Sequence, residues 1–222
     1  STKIPIKTSL VGSYNISNIL AAALVTMCGL GVSSQSVVDG VRNLPGVPGR
    51  MERIELGQDF LAIVDFAHTP NALLRTLDTA RKLAPEGRVI AVFGSAGLRD
   101  RQKRRMMAEV SARKADLTVL TAEDPRTESL DEILKEMAEG ARAQGGKEGE
   151  TFWRIPDRRA AIRFALRQAR PGDVVLACGK GHEQSMCFET VEYPWDDRTA
   201  MRSALAELLG IPGLSMPELP AG

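Results

Sequence analysis

Short apolar runs of β type alternate with longer helical ones along most of this chain, and that alternation does most to narrow the fold. Leu61-Ala62-Ile63-Val64 and Val174-Val175-Leu176-Ala177 are continuously apolar, whereas a strand with one solvated face would alternate apolar with polar residues. Strands of this kind are buried on both faces, and helices must do the covering. The runs predict strands over 53–56, 60–66, 88–93, 117–120, 152–155 and 173–178. Helices are expected over 70–83, 100–114, 130–144, 157–169 and 196–209. Thr69-Pro70 supplies an N-cap followed by proline at the first helical position, and Asp173 sits just before the last buried strand. The expected fold class is α/β, with a doubly wound sheet.

Ahead of this pattern, residues 14–43 read as two short helices. The first carries Ile16, Ile19, Leu20, Ala23, Leu24 and Met27 at three- and four-residue spacing and stops at Gly29-Leu30-Gly31. The second runs over about 34–41. Asn43-Leu44-Pro45-Gly46-Val47-Pro48-Gly49 then reads as a linker, so the expected domains are 1–45 and 46–222. The tail from Ile211 holds Pro212, Pro217 and Pro220 and is expected to be loose.

Composition removes several functions. With 29 Lys and Arg against 28 Asp and Glu, the net charge of +1 gives no field to draw the chain onto nucleic acid or an anionic membrane. The basic run Arg99 to Arg105 has no aromatic residue interleaved with it and reads as a solvated helix face, so no nucleic-acid partner is expected. Met106, Met107 and Cys178 read as core packing. Cys28, Cys178 and Cys187 form no C-x-x-C pair, which suits a reducing compartment, and the cytoplasm is expected. No apolar run reaches the roughly 20 residues needed to span a bilayer, and no signal peptide opens the sequence, so no membrane partner is expected.

In open α/β sheets ligands gather beyond the carboxyl ends of the strands. The segments that follow the predicted strands are Asp65-Phe66-Ala67-His68, Gly94-Ser95-Ala96-Gly97-Leu98-Arg99-Asp100, Glu123-Asp124-Pro125-Arg126 and Gly179-Lys180-Gly181-His182-Glu183. Each alone could be a capped loop; four together point to a site. Gly94 to Arg99 has the small residues of an anion-binding turn at a helix N-terminus. Gly146-Lys147 and Gly179-Lys180 both lack the context of a P-loop, and no G-x-G-x-x-G stands between a strand and a helix, which disfavours a nicotinamide enzyme.

Six phrases in order resemble the Mur ligase family: Gly12-Ser-Tyr-Asn15-Ile-Ser-Asn18, Gly49-Arg50-Met51-Glu52, Val64-Asp65-Phe66-Ala67-His68-Thr69-Pro70, Leu98-Arg99-Asp100 with Lys103-Arg104, Asp124-Pro125-Arg126-Thr127-Glu128, and Gly179-Lys180-Gly181-His182-Glu183. The resemblance covers residues 11–209 and matches the C-terminal part, nearest to the member that adds the third, diamino residue of the peptidoglycan stem. It implies a Rossmann-like C-terminal domain preceded, over residues 1–45, by the last helices of a central ATP-binding domain. It also implies a fragment that lacks the family's N-terminal and central domains and is inactive alone.

The family uses ATP and Mg2+ to turn a carboxylate of a UDP-N-acetylmuramoyl peptide into an acyl phosphate, which an incoming amino acid attacks. On this chain the resemblance implies an ATP-binding set of Asn18 by the adenine, Arg50 by the phosphates, Asp65 by the ribose, and His68 and Lys103 at motif positions. The magnesium ligands would lie in the absent central domain. Arg99 would hold the α-carboxylate of the incoming diamino acid; Asp124, Arg126, Gly179 and Glu183 would hold its distal end. Arg126 favours a distal carboxylate, as in meso-diaminopimelate, because a guanidinium pairs with it bidentately. Asp124 stands where the family usually has asparagine, and would repel that carboxylate or welcome the distal amine of lysine or ornithine. Diaminopimelate is the favoured substrate. Another Mur-type or folylpolyglutamate ligase, and a ligand-binding module without catalysis, stay open as alternatives.

Overall fold

The apolar runs do form strands buried on both faces. The computed structural model describes residues 3–220, and the chain divides between Val47 and Pro48 into two units. In the first, helix α1 (Tyr14–Leu24) passes into a π-helical turn (Val25–Gly29), and helix α2 (Ser34–Asn43) follows. The α-helix expected to reach Met27 ends early, where Thr26 Oγ1 donates to the carbonyls of Ala22 and Ala23, a side-chain bond that competes with the helical ladder. Ser33 caps α2 by accepting from the Ser36 N–H.

The second unit is built on a six-stranded sheet. In chain order its strands are β1 (Glu52–Ile54), β2 (Leu61–Asp65), β3 (Val89–Phe93), β4 (Leu117–Leu120), β5 (Phe152–Arg154) and β6 (Val174–Cys178). Their spatial order is β1-β2-β6-β3-β4-β5, with β1 antiparallel at one edge and every other pairing parallel. Helices α3 (Pro70–Leu83), α4 (Gln102–Lys114) and α5 (Leu130–Ala143) pack side by side, while α6 (Arg158–Gln168) pairs with α7 (Asp197–Leu209). Ala62, Val64, Ile90, Val92, Val175 and Ala177 share one core cluster with Ile162, Leu166, Met201 and Leu205 of α6 and α7. The intervening residues Ile63, Ala91, Phe93 and Leu176 are equally buried, as they must be when helices cover both faces. The mixed α/β, Rossmann-like expectation therefore holds. Because β6 enters between β2 and β3, the segments that leave β2, β6, β3 and β4 lie next to one another at a single end of the sheet.

Several local expectations need correction. A hairpin of β7 (Ser185–Phe188) and β8 (Val191–Pro194) occupies a stretch with no predicted element. Its two-residue turn, Glu189-Thr190, has neither glycine nor asparagine, although Glu189 sits at a φ of 53°; the usual turn signal is missing. Arg104 is not on a solvated face: its side chain is fully buried against Glu128 and Glu136. Met106 is exposed, and Met107 alone of that pair is core. The tail, expected to be loose, has no regular structure yet docks Leu219 and Met216 on the core cluster.

Candidate active site

The carboxyl end of β2 fixes the first group of residues. Asp65, the last residue of the strand, accepts hydrogen bonds from the Met51 N–H at 2.8 Å, the Ala67 N–H at 3.0 Å and Thr76 Oγ1 at 3.0 Å. It thereby holds both the turn that carries Arg50 and the turn that carries His68. Phe66 projects between them: the Arg50 guanidinium lies 4.4 Å from its ring centre, and the rings of His68 and His182 lie against it at 4.6 and 4.8 Å. This closeness depends on glycine at both Gly49 and Gly181. A methyl group at Gly49 would overlap the Gly181–His182 peptide, and one at Gly181 would meet Phe66. Lys103, in the first turn of α4, donates to the His68 carbonyl at 3.3 Å. Arg50, Asp65, His68 and Lys103 thus share one neighbourhood. Asn18 belongs to the first unit, where its side chain is exposed and donates to Asn15.

The second group lies across β6, at the ends of β3 and β4. Here the turn expected to bind an anion directs two of its N–H groups to the chain itself, while the buried Ser95 hydroxyl has no partner. The Gly97 N–H donates to the Asp124 carbonyl, and the Leu98 N–H donates to the Glu128 carboxylate, which Arg104 also grips at 2.7 Å. Arg126 Nη1 donates to the Gly97 carbonyl at 2.8 Å. A methyl group at Gly97 would overlap the Pro125 carbonyl. The loop after β3 is therefore locked to the loop after β4, and it carries Arg99 outward into solvent.

Asp124 and Arg126 stand in this second loop with Gly179 and Glu183 close by. Lys180 Nζ bridges the two carboxylates, 2.9 Å from Asp124 Oδ1 and 2.8 Å from Glu183 Oε2. Burial alone would lower the Lys180 ammonium's pKa, but its hydrogen bonds to Asp124 and Glu183 outweigh that and raise it. The hairpin braces the same loop. The Cys187 N–H donates to Asp124 Oδ1, the Arg126 N–H donates to the Cys187 carbonyl, and the Glu189 N–H donates to the Arg126 carbonyl. Met51, Leu98, Asp124, Arg126 and Glu189 are the non-glycine residues with positive φ among the described residues, and all five sit in these loops. Backbone strain of this kind collects where surrounding structure over-determines a site.

Three charged residues that the sequence reading passed over complete the geometry. Lys180 was visible only as part of a motif. Glu123 is 5% exposed, and its Oε2 has no partner. Burial pushes its carboxyl above the ordinary range, against the pull of Arg158, Lys103 and Lys180. A methyl group at Gly179 would overlap that carboxyl. Arg158, wholly buried, donates to the carbonyls of Ala122 and Cys178 at 3.0 and 2.9 Å, so it spaces the ends of β4 and β6, and Asp197 balances its charge at 2.6 Å. No sequence signal marks Arg158, because an arginine in a helix ordinarily faces water.

Residues 49–181 match the family model described as Mur ligase, glutamate ligase domain. The chain belongs to the Mur ligase family. It is 50% identical over 199 residues to the UDP-N-acetylmuramyl-tripeptide synthetase of Roseiflexus sp. (strain RS-1), a match that covers 90% of this chain and 39% of that protein. It is 43% identical over 208 residues to the UDP-N-acetylmuramoyl-L-alanyl-D-glutamate--2,6-diaminopimelate ligase of Streptomyces coelicolor, which covers 94% and 41%. A solved structure of a ligase with that second name superposes with a TM-score of 0.68 at 36% identity, over 92% of this chain and 40% of the other. This Mur ligase chain thus spans about two fifths of the length of the relatives it matches. No helix among its described residues is long and apolar enough to cross a membrane.

Proposed function

We propose that this chain is the C-terminal part of a longer, ADP-forming ligase of the cytoplasm. That ligase joins meso-diaminopimelate to UDP-N-acetylmuramoyl-L-alanyl-D-glutamate in peptidoglycan synthesis. The observation that carries this reading is the meeting of Asp124, Arg126, Gly179 and Glu183 at one end of a parallel sheet, where guanidinium and carboxylate stand side by side. A distal amino-acid group, with its carboxylate and its ammonium, is the complementary ligand. Arg126 would take the carboxylate; Glu183, half-exposed, would take the ammonium with the Gly179 carbonyl. Arg99, carried outward on the locked loop, would take the α-carboxylate and so hold the attacking amine at the mouth of the site. The names of the relatives point the same way.

The group around Phe66 suits a nucleotide. Arg50 and Lys103 offer donors to phosphate oxygens, with His68 beside them, and an exposed guanidinium beside a ring can move without disturbing the core. Asp65 acts first by fixing the Arg50 turn. With three donors bound, a carboxylate of roughly four lone-pair sites keeps one for a ribose hydroxyl. Asn18 is assigned to the adenine, and residues 1–45 to the end of the central ATP-binding domain. When bound, ATP supplies the phosphoryl group that activates the acceptor carboxylate. Mg2+ is assigned to ligands in the part of the relatives that this chain does not span.

The test is the split between two Michaelis constants in the complete ligase. Arg126→Ala and Glu183→Ala should each raise the KM for the amino acid by about 10- to 100-fold, the worth of a charge-assisted hydrogen bond. The KM for ATP should move by no more than about twofold. Equal increases in both constants would undo the assignment.

A further inference from the structure

The site contains a cation that no ligand brings. Lys180 is 2% exposed, and its Nζ sits between Asp124 and Glu183 in the position that an ammonium from outside would otherwise compete for. We propose that Lys180 is a specificity-determining residue: as a resident ammonium it neutralises Asp124, and so makes the pocket accept an amino acid with a second carboxylate. The inference rests on the ligase reading above and deepens it.

Charge counting gives the reason. Lys180 pairs with Asp124 and Glu183, Arg126 stands beside Asp124, and the exposed Arg99 is the third cation of the assigned site, so three positive charges stand against two negative, a surplus of one. An incoming diaminopimelate with its attacking amine neutral carries two carboxylates and one ammonium, which is one negative charge. Lysine in the same state carries none. With Lys180 present the pocket and the diacid balance. Without it the surplus vanishes, Asp124 keeps Arg126 as its cationic partner and competes with a ligand carboxylate for that guanidinium, and the balanced ligand is the monoacid.

The placement is built rather than incidental. Asp124 Oδ1 is aimed at Lys180 by a second donor, the Cys187 N–H at 2.9 Å, and by a backbone φ of 43°. Arg126 Nη2 is farther from the same carboxylate, at 3.9 Å from Oδ2. The lysine therefore has the stronger claim on Asp124, and the guanidinium keeps donors for a ligand. The opposed tendencies of Asp124 and Arg126 are reconciled by a third residue that touches one of them. The neighbouring Glu123 does not take the lysine from Asp124: its buried Oε2 has no hydrogen-bond partner, while Lys180 Nζ lies on Asp124 and Glu183.

The test measures ADP release by the complete ligase with UDP-N-acetylmuramoyl-L-alanyl-D-glutamate and ATP, and compares kcat/KM for meso-diaminopimelate with that for L-lysine. Lys180→Met should cut the ratio of the two by about tenfold or more, chiefly through the KM for the diacid. Lys180→Arg should hold the ratio. Adding Asp124→Asn to Lys180→Met restores the charge surplus and should recover it. Asp124→Asn alone leaves the core lysine in place, so it reports even if Lys180→Met fails to fold, and it should raise the ratio. Equal falls with both substrates in Lys180→Met, no recovery in the double variant, or an unchanged ratio in Asp124→Asn would each overturn the inference. A wild-type enzyme that turns over lysine and not diaminopimelate would overturn the substrate reading instead, before any variant is compared.

Discussion

Glu123 shows how far one residue's surroundings can depart from what its type suggests. It lies three residues beyond the end of β4, its Oε2 finds no partner, and desolvation favours its neutral form even with three cations nearby. The sign of its effect on stability follows. A carboxyl whose folded pKa is raised favours folding below its unfolded pKa, and that contribution is lost as pH rises toward the folded value. Glu123→Gln keeps the shape and removes the titration. Urea unfolding of this chain at pH 4 should find wild type and variant alike. Above about pH 4.3 the variant should gain on wild type by up to about 1.4 kcal/mol per pH unit until the folded group ionises. Parallel stability curves from pH 4 to pH 8 would contradict it. Polar segments after the predicted strands pointed to the region, and the family resemblance singled out Asp124, Arg126, Gly179 and Glu183 within it. It left Lys180 and Glu123 without roles, because their meaning lies in what they touch across loops from different strands.

At the scale of elements, the site is a set of loops locked by small contacts. The loop after β3 meets the loop after β4 through Gly97, where the N–H reaches Asp124, the carbonyl receives Arg126, and no side chain fits. Gly97→Ala should therefore cost about 1–3 kcal/mol of stability, since the Pro125 backbone has to move to admit the methyl group. It should also raise the amino-acid KM of the complete ligase, because Arg99 and Arg126 lose their fixed spacing. A denaturation midpoint equal to wild type would show that the loops are not locked as described. Helices were the most legible elements. Pro70–Leu83 coincides with its prediction because the Thr69 hydroxyl caps its start and Pro70 fixes the first helical φ, both local signals. The β7–β8 hairpin was not legible, since a Glu-Thr turn carries no local signal and the hairpin is braced by a bridge from Phe188 to Arg126, distant in sequence. Arg104 and Arg158 stayed hidden for a related reason: their charges are matched by Glu128, Glu136 and Asp197, residues distant in sequence.

At the scale of the molecule, a doubly wound sheet brings four polar segments to one end by inserting β6 between β2 and β3. The order of strands was not written in the apolar pattern, which fixes which residues are buried but not which strand neighbours which. The family match supplies the fold's kinship; the charges at the sheet's end supply the argument for substrate. The central claim is that this end of the sheet accepts a diamino diacid. It is tested most directly by ADP release from the complete ligase with UDP-N-acetylmuramoyl-L-alanyl-D-glutamate and ATP, offering meso-diaminopimelate, L-lysine and L-ornithine in turn. Stimulation by meso-diaminopimelate alone is the predicted result; stimulation by lysine or ornithine in its place, or by none of the three, would contradict the claim.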